Sequence, residues 1–209
     1  MEWIALGLFG IDLIIHLTWP RHSIITKCLL IPLLTVYYLL AASQAGLFVL
    51  LALAACFMGD LLLALSGRSG FFITGLLFFM SGHFLYAVHL LQSTRFLQDL
   101  PVWGCLLVLP YLLYLAWLYV RLRRSMGPML PCFWIYGPAI CGMSFLCLTR
   151  VFSYAGPAFW LPLLGSILFI ASDTMLALHH FRKPLDHADL KIMSTYGLAQ
   201  LFLILGLAA

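Results

Sequence analysis

The sequence predicts an all-α fold: a polytopic membrane helix bundle of eight transmembrane helices, forming a single domain over residues 1–209. Three observations lead there. Hydrophobic residues make up 64% of the chain and charged residues only 9%, where soluble domains carry roughly 25% charge. Mean hydropathy is correspondingly high, at +1.07. Apolar runs of the length needed to cross a hydrocarbon core, about 20 residues, follow one another with only short connections. Basic residues favour alternate connections, as they do where a chain threads back and forth through a bilayer. A chain so short of polar surface excludes a soluble enzyme, a disordered tail and a nucleic-acid reader.

The spans read as 3–19, 24–42, 47–65, 71–91, 102–120, 129–149, 158–181 and 188–207. The first lies between Trp3 and Trp19, side chains suited to a membrane interface. It holds Asp12, placed near water at a helix end, and His16. No basic stretch precedes it, so it reads as a retained span rather than a cleaved leader. The second opens around Lys27, which can snorkel to the interface or hold a lipid phosphate. The third carries Asp60 and stops before Arg68; the fourth carries His83, Tyr86 and His89, and Arg95 follows it. Trp103 marks the start of the fifth, which ends in Arg121, Arg123 and Arg124. Arg150 closes the sixth. Trp160 opens the seventh, which carries Asp173 and ends at His179, His180, Arg182 and Lys183; the eighth holds Lys191, Tyr196 and Gln200. Pro32, Pro110, Pro138 and Pro162 read as kinks or span ends.

Charge sets the orientation. Arg21, Lys27, Arg68, Arg121, Arg123, Arg124, Arg182, Lys183 and Lys191 group with the connections after odd-numbered spans; only Arg95 and Arg150 follow even-numbered ones. The positive-inside rule then puts the odd connections in the cytoplasm and both termini on the far side. Six cysteines are scattered through apolar segments with no C-x-x-C pair and read as small hydrophobes. The chain has no Asn, which rules out N-glycosylation.

Two segments look like copies. Residues 59–65 read Gly-Asp-Leu-Leu-Leu-Ala-Leu, and residues 172–178 read Ser-Asp-Thr-Met-Leu-Ala-Leu. The offset, 173 − 60 = 113, also sets Met80-Ser81 on Met193-Ser194 and His83 on Tyr196. A polar ring thus follows each aspartate at the same interval. Both aspartates are on odd spans, so the repeat would be parallel, as in some transporter folds. Asp60 is eight residues from Arg68 and Asp173 nine from Arg182, which places both carboxyls about 12–14 Å in from the same membrane face at ~1.5 Å per residue. At matched depth they can converge on a shared cavity.

An ionisable group at such depth costs about 2.5–3.5 kcal/mol on insertion scales, so each needs a reason to be there. Structural pairing, a proton or ion relay, and chemistry on a substrate all supply one. His83 with Tyr86, and Tyr196 with Gln200, each share a helix face, as interhelical hydrogen-bonding glue or as cavity lining. No metal site is indicated, because no H-x-x-x-H or H-E-x-x-H occurs and adjacent His179 and His180 point to different sides of a helix. No nucleotide or nucleophile motif occurs, and no cofactor is expected.

Taken together, Lys27-Cys28, Gly59-Asp60, Ser81-x-His83-x-x-Tyr86, Leu130-Pro131 with Tyr136-Gly137, Ser172-Asp173 and Met193-Ser-Thr-Tyr-x-x-Ala-Gln200 resemble the lysoplasmalogenase family of YhhN-like bacterial and TMEM86-like animal membrane proteins. The resemblance runs from the second span to the end of the eighth; the first adds nothing to it. It implies hydrolysis of the vinyl ether of lysoplasmalogens to a fatty aldehyde and glycerophospho-ethanolamine or -choline. The expected partners are this lysophospholipid and membrane lipids, with no nucleic acid. The membrane would be a bacterial inner membrane, or the endoplasmic reticulum in a eukaryote. Vinyl ether cleavage begins with protonation of carbon, which a carboxylic acid can perform near neutral pH where low dielectric favours its protonated form. A second carboxylate would stabilise the oxocarbenium-like cation and orient water, as paired carboxyls do in glycosidases. Asp60 and Asp173 are therefore the expected catalytic pair, with Asp173 favoured for the charged role. Lys27 would bind phosphate; His83, Tyr136, Ser172, Tyr196 and Gln200 would line the substrate site. The competing reading is a small proton-coupled transporter or lipid flippase using the same aspartates.

Overall fold

The computed structural model describes residues 1–19, 23–65, 69–93 and 100–209, and these form helices with no strand among them. Arg21, Arg68 and Arg95 lie outside the described residues. The helices are α1 (Glu2–Thr18), α2 (Ser23–Ala41), α3 (Leu47–Ala64), α4 (Ser69–Ser93), α5 (Leu109–Leu122), α6 (Leu130–Thr149), α7 (Pro157–Phe181) and α8 (Ala188–Ala208). Among the described residues seven segments are long and apolar enough to cross a membrane; α1, with 17 residues, is not one of them. The protein is an integral, multi-pass membrane protein.

One expected span is not a single α-helix, and another is flanked by 3-10 turns. The fifth enters as a 3-10 helix over Val102–Val108 and becomes α-helical at Leu109. Pro110 explains the restart: it has no N–H to donate backwards, and its fixed φ suits the first turn of a helix. The sixth is preceded by a 3-10 turn over Gly127–Met129 and followed by another over Arg150–Phe152. Pro32, Pro138 and Pro162 sit inside α2, α6 and α7.

Helix packing follows chain order. Antiparallel pairs α7–α8, α3–α4 and α1–α2 make the most extensive contacts; α4 also packs on α6, α6 on α7, and α8 closes back on α2 and α1. Helix α5 sits outside this ring against α6 and α7, and Leu118 and Leu122 are its only buried side chains. Large apolar residues such as Trp3, Leu113, Val120 and Ile135 point outward, as expected where the surroundings are acyl chains rather than water. Close approach in the main hairpins rests on missing side chains. A Cβ on Gly165 would lie 2.6 Å from the Leu203 backbone nitrogen, so α7 and α8 pack backbone to backbone there.

The first helix corrects one expectation. Asp12 is 8% exposed, on the same inner face of α1 as Phe9, Leu13 and His16, and does not face water at a helix end. His16 Nδ1 lies 2.7 Å from the Thr26 hydroxyl of α2, so this face carries polar as well as apolar packing. Arg150, expected as a loop charge, is buried as well. It donates from Nε to the Ala158 carbonyl and from Nη1 to the Ser93 hydroxyl, and stacks over the Tyr154 ring. It clamps the end of α4 to the α6–α7 connection.

Candidate active site

The repeat predicts that each aspartate has a polar ring on the next helix. The structure pairs them the other way. Tyr196 of α8 donates to Asp60 Oδ2 of α3 at 2.6 Å, and His83 Nε2 of α4 lies 3.4 Å from Asp173 Oδ2 of α7. The ring of each half therefore serves the aspartate of the other half. Between the two clusters stands Phe169, edge-on to His83 at 4.8 Å and to Tyr196 at 5.5 Å between ring centroids. Phe79 meets Tyr196 edge-on at 5.7 Å. Phe79 approaches this closely because Gly59, next to Asp60, has no side chain: a Cβ there would be 2.7 Å from the phenyl ring.

The environments of the two carboxyls differ. Asp60 is 1% exposed, and its second partner is Lys27 of α2, whose Nζ is 3.8 Å from Oδ1. That is an ion pair but too long for a hydrogen bond, and Oδ1 has no hydrogen-bond partner among the described residues. Asp173 is 17% exposed at its side chain. Tyr136 of α6 donates to its Oδ2 at 2.5 Å and also lies 3.4 Å from His83 Nε2. Both contacts of Asp173 end on Oδ2, which leaves Oδ1 open among the described residues.

Asp173 lines a largely apolar groove of about 930 Å³, counted out to its open side, bounded by α4, α5, α6 and α7. Its few polar groups sit together: Tyr136, Asp173, and the Tyr114 hydroxyl hydrogen-bonded to Thr174 at 2.6 Å. Ile73, Leu77 and Ile135 on the wall are exposed to the surroundings of the bundle, so the groove opens sideways. A wider vestibule of about 1170 Å³ lies towards the basic end, with Lys27, His179, His180 and Asp189 on its wall. Phe72, Ile73, Met129 and Leu176 line both spaces, so the two are neighbours.

The eight expected site residues thus divide. Asp173 and Tyr136 line the groove, with His83 fully buried behind them; Lys27 lines the vestibule. Asp60 and Tyr196 form a closed pair that lines neither space. Asp173 thus lines the groove and Asp60 does not, and Phe169 stands edge-on to both His83 and Tyr196, the ring partners of the two carboxyls. Ser172 donates to the Ile192 carbonyl and ties α7 to α8. Gln200 accepts from Tyr86 through Oε1 deep in the core. Tyr114, Thr174 and Phe169 are additional groups at the site. Only Thr174, adjacent to Asp173, carried a positional signal in the sequence. No group of three or more His, Cys, Asp or Glu side chains is arranged to hold a metal among the described residues.

Comparison with known proteins decides the family. The YhhN family model matches residues 22–207, leaving out α1. The chain belongs to the YhhN family. The human protein named Lysoplasmalogenase TMEM86B is 31% identical to this YhhN family member over 192 residues, covering 91% of this chain and 76% of the human protein. No solved structure matches it.

Proposed function

We propose that this protein is a membrane hydrolase that cleaves the vinyl ether bond of lysoplasmalogens, releasing a fatty aldehyde and a glycerophospho-ethanolamine or -choline. The name of its human relative and its family membership support the substrate class. One structural observation carries the chemistry: a carboxyl, Asp173, is held at one oxygen on the wall of a largely apolar groove that opens sideways, while its other oxygen has no hydrogen-bond partner among the described residues.

The alkenyl chain enters through the lateral opening and brings the vinyl ether to Asp173. Oδ1–H of Asp173 gives its proton to the alkenyl carbon beyond the one bonded to oxygen, and the double-bond electrons form the new C–H bond. An oxocarbenium ion remains at the ether carbon. The carboxylate left behind is stabilised by the Tyr136 hydroxyl, and His83 holds that hydroxyl from behind. Water adds to the cationic carbon and returns a proton to Asp173. The hemiacetal then breaks its bond to the glycerol oxygen, which gains the hemiacetal hydroxyl proton. The net change is addition of one water, and the acid is regenerated. One carboxyl suffices for proton delivery and recovery, so Asp60 acts through Lys27, fixing the ammonium that meets the substrate phosphate.

The test is aldehyde release from lysoplasmalogen by purified protein in detergent. Stoichiometric aldehyde that is lost in Asp173→Asn supports the mechanism. Binding without turnover in detergent, together with lipid movement in sealed vesicles under a proton gradient, would favour the transporter or flippase reading instead.

A further inference from the structure

The vestibule is larger than the groove and differs from it in chemistry. It gathers a lysine, two histidines and a carboxylate at the basic end of the bundle. His179 Nδ1 accepts a hydrogen bond from the Leu185 backbone N–H at 2.9 Å, which fixes the ring's remaining N–H on Nε2 as a donor. Lys27 is within ion-pair range of Asp60 but makes no hydrogen bond to it, so its ammonium retains donors for the cavity it lines. Asp189, in the first turn of α8, is exposed and supplies the opposite charge on the same wall.

Position matches a substrate held at Asp173. His179 is six residues further along α7, about 9 Å nearer the basic end at ~1.5 Å per residue. The glycerol carbons and a phosphodiester bridge that interval, with the amine extending beyond. The walls also discriminate between amines. Quaternary ammonium groups are recognised by open aromatic faces, and the phenyl ring on this wall, Phe72, is covered on one face by His180 stacked at 3.7 Å. A carboxylate suits instead a primary ammonium that can donate hydrogen bonds.

We propose that the vestibule is a headgroup site for phosphoethanolamine on a single-chain lipid, with Lys27 and His179 on the phosphate and Asp189 on the primary ammonium. The proposal rests on the lysophospholipid reading above but not on cleavage. It is tested by calorimetric binding of the detergent-solubilised full chain to three ester lipids that lack a vinyl ether: lysophosphatidylethanolamine, lysophosphatidylcholine and monoacylglycerol. The ethanolamine lipid should bind about fivefold more tightly than the choline lipid, the scale of one solvent-accessible charge contact, and monoacylglycerol should bind most weakly. Asp189→Asn, on an exposed position, should erase the margin between ethanolamine and choline while leaving both above monoacylglycerol. His179→Phe should weaken both phospholipids alike. Equal affinity for all three lipids, or an unchanged ethanolamine margin in Asp189→Asn, overturns the proposal. Displacement of the lipid by inorganic phosphate at equal concentration also overturns it, because the site would then hold a free anion. Aldehyde release without the headgroup margin refutes this site alone; the margin without aldehyde release refutes the hydrolase alone.

Discussion

Replacing each aspartate by asparagine separates their roles. In Asp173→Asn the side chain keeps its size, and its amide oxygen still accepts from Tyr136, whose hydroxyl donates to Oδ2 at 2.5 Å in the wild type. The groove wall is otherwise largely apolar, so binding of the chain should be preserved. What is lost is the transferable proton. General acid catalysis contributes roughly 100- to 10,000-fold, or about 3–5 kcal/mol at 1.36 kcal/mol per tenfold, and the loss should fall on kcat with KM within about twofold. Asp60 lines neither cavity and contacts Lys27 and Tyr196. Asp60→Asn frees Lys27 from its counter-charge, so its effect should be mainly on KM for phosphate-bearing substrates, with kcat lowered about tenfold or less. Aldehyde release is followed over a substrate series, with thermal unfolding in detergent as the control for folding. A folded Asp173→Asn variant retaining more than about a tenth of wild-type kcat refutes the assignment of the acid. An Asp60→Asn variant matching it in kcat, at unchanged KM, would put both carboxyls in the reaction.

Three further outcomes follow from the packing. Tyr196→Phe removes the hydrogen bond to a buried carboxyl and should cost about 1–3 kcal/mol, read as a lower unfolding temperature with kcat falling less than in Asp173→Asn. Gly165→Ala places a Cβ 2.6–2.7 Å from backbone atoms of Leu203 and Ala199; overpacking of about 1–3 kcal/mol should lower the unfolding temperature by several degrees, whereas Gly142→Ala, with nothing within 4 Å of the new atom, should not. Leu77→Trp enlarges an exposed residue on the groove wall and should raise KM most for long alkenyl chains, measured across a chain-length series.

Much of the fold was legible because membrane insertion is dictated by composition and run length, and both are local properties. The spans, the early Lys27 and the two aspartates at matched positions all follow from counting along the chain. Two features were not legible. The break at Leu109 depends on how Pro110 restarts a helix after a 3-10 segment, and hydropathy does not distinguish the two helix types. The placement of Asp173, and not Asp60, on the groove wall depends on which helix faces meet. Those faces are set by Phe79, Phe169 and the absence of a side chain at Gly59, and in so apolar a chain aromatic residues carry no mark of which ones will stand in the site. Ser172 and Gln200 show the same limit. Their types and places suit a polar cavity, but one bonds the α8 backbone and the other bonds Tyr86.

The exchange of rings between halves explains how two similar segments come to sit in different surroundings. If each ring served its own half, α3–α4 and α7–α8 would each hold a self-contained aspartate pair, and the two environments would be alike. Instead Tyr196 crosses to Asp60 and His83 crosses to Asp173, so the halves are held together by the polar groups that define the site. The neighbours then break the symmetry. Helix α2 brings an ammonium to Asp60, and α6 brings a neutral hydroxyl to Asp173. The two carboxyls therefore differ in the charge of the group beside them and in whether they reach the groove wall. Of the two, Asp173 is the one on the wall of the sideways-opening groove, because α5 stands off the ring beside α7 and leaves the space beside Asp173 open.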